Sequence, residues 1–192
     1  MTIQTFLNGY TNHSGGCPGS DMTWEVEGFL RGASTVAYSF KGHTHDSRYP
    51  YVMSNTELEE GFEHVKIADE TLNRGLARLD DAPYIKKLIC RNWFQIKHAE
   101  SIFAIGTFVN STNQLVNGGT GWAVQMGVDE GKNVYFFDQK NNKWYLRTNE
   151  DDKFKYIDYI PELTTEFAGI GTRAINDNGT NAITELLDNI DK

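Results

Sequence analysis

Residues 101–106, SIFAIG, form a short, continuous apolar run. Such a run is a strand covered on both faces, the situation of a parallel sheet sandwiched between helices. It predicts a central strand. The flanks agree with this. Before it, DAPYIKKLICRNWFQIKHA places Pro83 in a first helical turn and repeats Ile85, Leu88, Ile89, Asn92 and Ile96 on one side. After it, beyond the polar insertion TFVNSTNQLVN, GGTGWAVQMGVDEGK reads as a glycine turn opening a helix that stops at Gly131. NVYFFDQ is the next strand, with Asp138 at its C-terminal end.

The rest of the chain continues the alternation. TFLNGY leads into the glycine-rich SGGCPGSD, and SDMTWEVEGFLRG predicts a helix with Ser20 or Asp21 near its cap and Gly32 just past its end. STVAYSF is a strand, followed by the polar loop KGHTHDSRYPY. SNTELEEGFEHVKIADETLNR opens on Ser54 and Glu57 at capping-box spacing and carries Leu58, Phe62, Val65, Ile67 and Leu72 as its apolar face. NNKWYLRT and KFKYID suggest a hairpin or two edge strands, and the chain runs through FAGIGTR to a last helix, NAITELLDNI. The expectation is an α/β fold, a single domain over 1–192, with a mainly parallel sheet, helices on both faces and a small C-terminal antiparallel addition. Such sheets take ligands at the carboxyl ends of their strands, where strand order reverses.

Charge narrows the function. With 18 lysines and arginines against 26 aspartates and glutamates, the net charge of -8 argues against a surface built for a nucleic acid polymer or anionic lipid. No stretch approaches the length of a membrane span, and the start MTIQTFLNGYTN lacks the basic end and long apolar run of a signal peptide. A cytoplasmic protein with no membrane contact is expected. Cys17 and Cys90 have no metal-type spacing and no evident histidine neighbour, so both read as inert.

Two glycine turns, SGGCPGSD and GGTGW, fall between a strand and a helix, where backbone N–H groups and the helix dipole favour an anion. A single such turn is as often structural, but two on one sheet edge point to a ligand. Ser14, Gly15, Gly16, Asp21, Gly118, Gly119, Thr120 and Gly121 are therefore candidate contacts. Asp21 either caps its helix or holds the ligand, and Glu25 either lies exposed or does the same. Arg91 pairs with a surface acid or, being off the apolar stripe, reaches the sheet edge. Arg48 and Tyr49 lie in a loop that could touch phosphate and base, and Thr172 and Arg173 could close the pocket. GHTHD offers His43, His45 and Asp46 but no clustered third ligand, so no metal and no cofactor are expected.

These residues also carry a resemblance. RNWFQIKHAESIFAIG followed by GGTGWAVQ resembles the signature of the lonely-guy phosphoribohydrolases, once labelled lysine-decarboxylase-like, in which an Arg-Lys helix and an apolar strand precede Pro-Gly-Gly-x-Gly-Thr-x-x-Glu. HSGGCPGSDMTWE is similar to the Ser-Gly-Gly-x-x-Gly-Ala/Ser-Asp opening of the wider SLOG superfamily, and GYTNHSGG has the look of its phage and bacterial members. The resemblance covers Tyr10 to Gly131 and, more loosely, FAGIGTR. It implies a Rossmann-like fold binding nucleotides or ADP-ribose-type molecules, with Arg91 at the catalytic arginine's position and Gly118, Gly119 and Gly121 on the phosphate turn. It also implies a homodimer or higher oligomer.

The match breaks where chemistry is done. The motif proline is missing, Trp122 replaces the threonine, and Gln125 replaces the glutamate. Trp122 either stacks on a base or fills the core. Glycosidic cleavage needs an ionisable carboxyl group, whose loss removes a rate factor of roughly a hundred to ten thousand. Gln125 thus points to binding without turnover: recognition of a nucleoside phosphate, ADP-ribose-type or cyclic nucleotide signal. In a phage-like setting this would sequester a host immune messenger in the host cytoplasm. The alternative is a phosphoribohydrolase or nucleoside-transferase using Glu25 or Asp21 as its carboxylate. A protein-binding module is a third class, and it would leave the two glycine turns without purpose.

Overall fold

The computed structural model describes residues 7–110, 112 and 115–190. Its elements run β1 (Thr11–Ser14), α1 (Ser20–Leu30), β2 (Ser34–Phe40), β3 (Pro50–Met53), α2 (Asn55–Leu72), α3 (Ala77–Asp80), α4 (Pro83–Lys97), β4 (Ser101–Gly106), α5 (Gly118–Asp129), β5 (Asn133–Asp138), β6 (Lys143–Arg147), β7 (Lys155–Ile157), β8 (Glu166–Gly171) and α6 (Asp177–Leu187). The strands form one sheet in the order β3-β2-β1-β8-β4-β5-β6-β7. β3, β2, β1, β8, β4 and β5 pair in parallel, and β6 and β7 add antiparallel at the edge. The fold is α/β as expected, with helices on both faces and an antiparallel C-terminal part.

Side-chain alternation in β4 shows why its sequence is continuously apolar. Phe103 and Ile105 face a core built with Trp24, Ala182, Ile183 and Leu186 of α1 and α6. Ile102 and Ala104 face the opposite core, with Val65, Ile96, Trp122 and Met126 of α2, α4 and α5. Every residue of the strand is buried, so neither face can be polar.

Three features depart from the sequence reading. The run that was expected only to lead to the last helix is a strand, β8, inserted between β1 and β4 and hydrogen-bonded to both. Its small, glycine-rich sequence EFAGIG carries little strand propensity, and its partners lie far away in the chain. β3 interrupts the expected loop, with Pro50 as its first residue at the sheet edge, where a missing N–H is tolerated. The helix faces also shift. Ile67 is 47% exposed while Ala68 is buried, and Ile85 is 46% exposed. In α4 every residue from Ile89 to Ile96 is buried, because the sheet lies beneath the helix and α2 and α5 flank it. The first strand occupies Thr11–Ser14, whereas the expected TFLNGY falls partly outside the described residues. The capping box at Ser54 and Glu57 forms as predicted.

β1 leads outward to β2 and β3, whereas β4 leads in the opposite direction to β5, β6 and β7. The carboxyl ends of β1, β8 and β4 therefore meet where the winding reverses, the place at which an open α/β sheet leaves a crevice. Among the described residues no helix is long and apolar enough to cross a membrane.

Candidate functional site

A cleft of about 560 Å³ opens at this reversal. Its floor comes from Gly106 and Thr107 at the end of β4 and from Ile170 to Arg173 at and just beyond the end of β8. One wall is the first turn of α5, Asn117 to Thr120 with Trp122 and Ala123. The other is α4, through Ile85, Leu88, Ile89, Arg91, Asn92 and Gln95, with Cys17 and Asp21 of the first loop closing the end.

The first glycine turn is tied to itself. Ser14 Oγ donates to Glu25 Oε1 at 2.6 Å and accepts from the Gly16 amide at 3.2 Å, while the Cys17 amide donates to Asp21 Oδ2 at 3.3 Å. Gly19 begins α1 at φ 92, and the Ser20 amide and hydroxyl both donate to the Thr172 carbonyl. Ser14, Gly15, Gly16 and Glu25 do not line the cleft. The expectation that this turn offers its amides to a ligand is thus corrected for Gly16 and Cys17, whose N–H groups are spent on Ser14 and Asp21. Neither Ser20 nor Asp21 caps the helix through its side chain. Asp21 does line the cleft. Burial pushes its carboxyl up to about 6, against the opposing pull of the Arg91 guanidinium.

Arg91 is the unusual group. It is 4% exposed, yet among the described residues no carboxylate pairs with it. Nη2 donates to Cys17 Sγ at 3.2 Å, Nη1 reaches the Tyr38 carbonyl at 3.4 Å, and Nε has no partner. A surface-acid pairing for Arg91 does not occur. Gln95, 2% exposed, also lines the cleft and has an unpartnered Nε2. Buried cations and amide donors normally find acceptors, because leaving them bare costs about 1–3 kcal/mol each and more for a charge.

The second glycine turn is open. Asn117 caps α5 by accepting from the Gly118 amide at 2.8 Å. Gly118 has φ +64, and a Cβ added to Gly118 or Gly119 would meet nothing within 4 Å among the described residues. Arg74 holds this turn from behind, donating to the Gly118 and Val116 carbonyls at 2.6 Å and lying 5.7 Å from the Trp122 ring centroid. Asn92 Nδ2 adds a 3.4 Å contact to the Gly119 carbonyl. Sequence patterning did not single out Arg74, Gln95 or a cleft role for Asn92; only a neighbour list reveals them.

Other expected residues fall elsewhere. Gly121 packs against the Val116 carbonyl and the Arg74 guanidinium, outside the cleft. Gln125 is buried and donates to Asp129 Oδ1 at 2.7 Å, one turn along its own helix, and is not part of the lining. Arg48 and Tyr49 are exposed and also outside it. Thr120, Trp122, Thr172 and Arg173 do line it; Trp122 is both core and wall.

Cys17 is not the isolated thiol the sequence suggested. His43 Nε2 lies 3.8 Å from its sulfur, Arg173 Nη2 also lies at 3.8 Å, and Ser39 Oγ is 3.1 Å from His43 Nδ1. Burial, then the nearby Arg91 charge, push His43 down to about 4, which keeps the imidazole neutral at pH 7. Cys90 differs: burial in the α2–α4 core pushes its thiol up to about 11. Among the described residues no group of three or more His, Cys, Asp and Glu is placed to hold a metal.

Comparison with family models, curated proteins and solved structures finds no match to this chain. The cleft's own chemistry therefore carries the functional reading. One end offers cationic and amide donors, one carboxyl group sits beside them, and Trp122 with Ile85, Leu88 and Ile89 forms an apolar side.

Proposed function

We propose that the cleft binds a phosphate-bearing, nucleotide-derived small molecule. The observation that carries this reading is Arg91, a buried guanidinium that among the described residues forms no ion pair and leaves Nε without an acceptor, in one cleft with a helix N-terminus whose two glycines have open space beside them among those residues. Phosphate would supply the missing acceptors to Arg91 and Gln95 and pair with the exposed Arg173 at the cleft's edge, and the α5 dipole would favour its charge. Trp122 and the α4 side chains offer a flat apolar surface for a base. The SLOG-like motifs in both loops agree with this ligand class.

On this reading the ligand's N-glycosidic bond survives: the position where the resemblance puts the enzymes' glutamate is Gln125, an amide that is held by Asp129 and supplies no carboxyl group to the cleft. The protein then acts as a receptor or sponge for a nucleotide signal, with immune-messenger sequestration in a host cytoplasm as its biological form. Homodimerisation belongs to the same reading. Glycosidic cleavage is the second reading, favoured by one observation: Asp21, in the cleft, is raised to about 6 and so carries a proton to give near neutrality.

The test is titration with inorganic phosphate, AMP, ADP-ribose, NAD and a cyclic dinucleotide, followed by calorimetry and by chromatography of the ligand after denaturation. Saturable binding with the base still attached supports recognition. Free base released on a catalytic timescale favours the second reading, and no binding of any phosphate compound overturns both.

A further inference from the structure

We propose that Cys17 is a nucleophile toward phosphate monoesters, attacking a phosphorus held between Arg91 and Arg173. This rests on the reading of the cleft as a phosphate site and adds a reaction to it. Two arginines from segments remote in the chain converge on one sulfur, at 3.2 Å for Arg91 and 3.8 Å for Arg173. His43 approaches the same sulfur, and Ser39 contacts the far ring nitrogen, so a nucleophile, a neutral imidazole that orients it and a hydroxyl that fixes the ring come together. With the His43 Nδ1 proton donated to Ser39 Oγ, the Nε2 lone pair faces Cys17. An independent sign of an occupant is the pair of bare donors, Arg91 Nε and Gln95 Nε2, on side chains 4% and 2% exposed in the same cleft.

The reaction balances with water alone. The Cys17 proton passes to a phosphoryl oxygen of the monoester, the sulfur bonds to phosphorus, and the bond from phosphorus to the ester oxygen breaks. The leaving oxygen receives the proton of the Asp21 carboxyl group. Water then attacks the cysteinyl phosphate and passes one proton to Asp21. The phosphorus–sulfur bond breaks, a phosphoryl oxygen returns its proton to sulfur, and inorganic phosphate leaves, while the neutral His43 imidazole orients the sulfur throughout. Arg91 and Arg173 hold the phosphoryl oxygens through both steps. Asp21, raised to about 6 by burial, is suited to donate a proton on the acid side of neutrality.

The test uses the full chain with p-nitrophenyl phosphate and AMP as substrates and inorganic phosphate as the binding probe. Wild type is expected to release phosphate faster below pH 6 than above pH 7, and acid-quenched protein should carry one phosphoryl group on Cys17 by mass. Cys17→Ser should lose turnover by at least about a hundredfold while still binding inorganic phosphate. If that variant folds poorly, iodoacetamide on wild type replaces it: turnover should vanish in step with Cys17 alkylation, and inorganic phosphate should slow both. Turnover that survives loss or alkylation of Cys17 overturns the proposal. So does Arg91-dependent phosphate binding with neither turnover nor adduct, which leaves the binding function standing. No phosphate binding at all overturns the proposed function itself.

Discussion

The two glycine turns share a position, each between a strand and a helix at one sheet edge, but they spend their glycines differently. In the turn after β1, a methyl on Gly15 would overlap the Arg91 guanidinium, and one on Gly19 would fall 2.5 Å from the Arg173 carbonyl oxygen. Those glycines let the chain itself come close. In the turn before α5, Gly118 and Gly119 leave their space empty. The same residue type serves internal packing in one place and an open surface in the other, and only the neighbours distinguish them.

Gly19→Ala should have the largest effect, because it combines positive φ with a backbone clash. A loss of about 3 kcal/mol is expected in chemical denaturation. A variant as stable as wild type would show that the first turn is looser than its contacts indicate.

The carboxyl group beside that turn should be visible in the pH dependence of stability. Asp21 is raised from 3.8 to about 6, so between those values the folded chain holds a proton that the unfolded chain has lost. Stability contributed by this group is therefore present below about pH 4 and declines as pH rises to 6, by about 3 kcal/mol. Comparing denaturation of Asp21→Asn and wild type across this range should remove the slope; an unchanged slope contradicts the assignment.

Arg91 stands against the first turn and lines the cleft. Arg91→Met should leave the melting temperature of the free protein nearly unchanged, since it removes a buried charge that forms no close ion pair among the described residues and loses only its weaker pull on Asp21. It should weaken inorganic phosphate binding by about a hundredfold in calorimetry. A collapse in stability would instead make Arg91 a structural strut.

The smallest effect is the sharpest test of the contrast. Gly119→Ala has open space and lies in a helical first turn, so stability should hold or rise by about 0.5 kcal/mol. Phosphate affinity should fall by about tenfold, because the methyl enters the volume left to the ligand. Unchanged affinity would show that the open turn faces solvent rather than ligand.

Much of this fold was legible because periodicity is a local property. The continuous run of β4, the capping box at Ser54, Pro83 at the start of α4 and the stop at Gly131 each follow from residues within a few positions of one another. β8 was not legible, since its place between β1 and β4 depends on pairing with strands about 155 and 66 residues away and its own sequence carries weak strand character. Sequence likewise placed Asp21, Arg91, Thr120, Trp122 and Arg173 near a strand edge, where the cleft is found. It misjudged Cys17, whose contacts with His43, Arg91 and Arg173 come from three separate segments.

The sequence by itself determined the α/β alternation, the burial of SIFAIG and the presence of two glycine turns, because hydrophobic period and glycine's freedom act over short range. Tertiary structure alone decided which turn is open, which arginine is buried with an unpartnered nitrogen and which cysteine meets a histidine. Those properties depend on distance and burial between segments remote in the chain, and no local pattern encodes them.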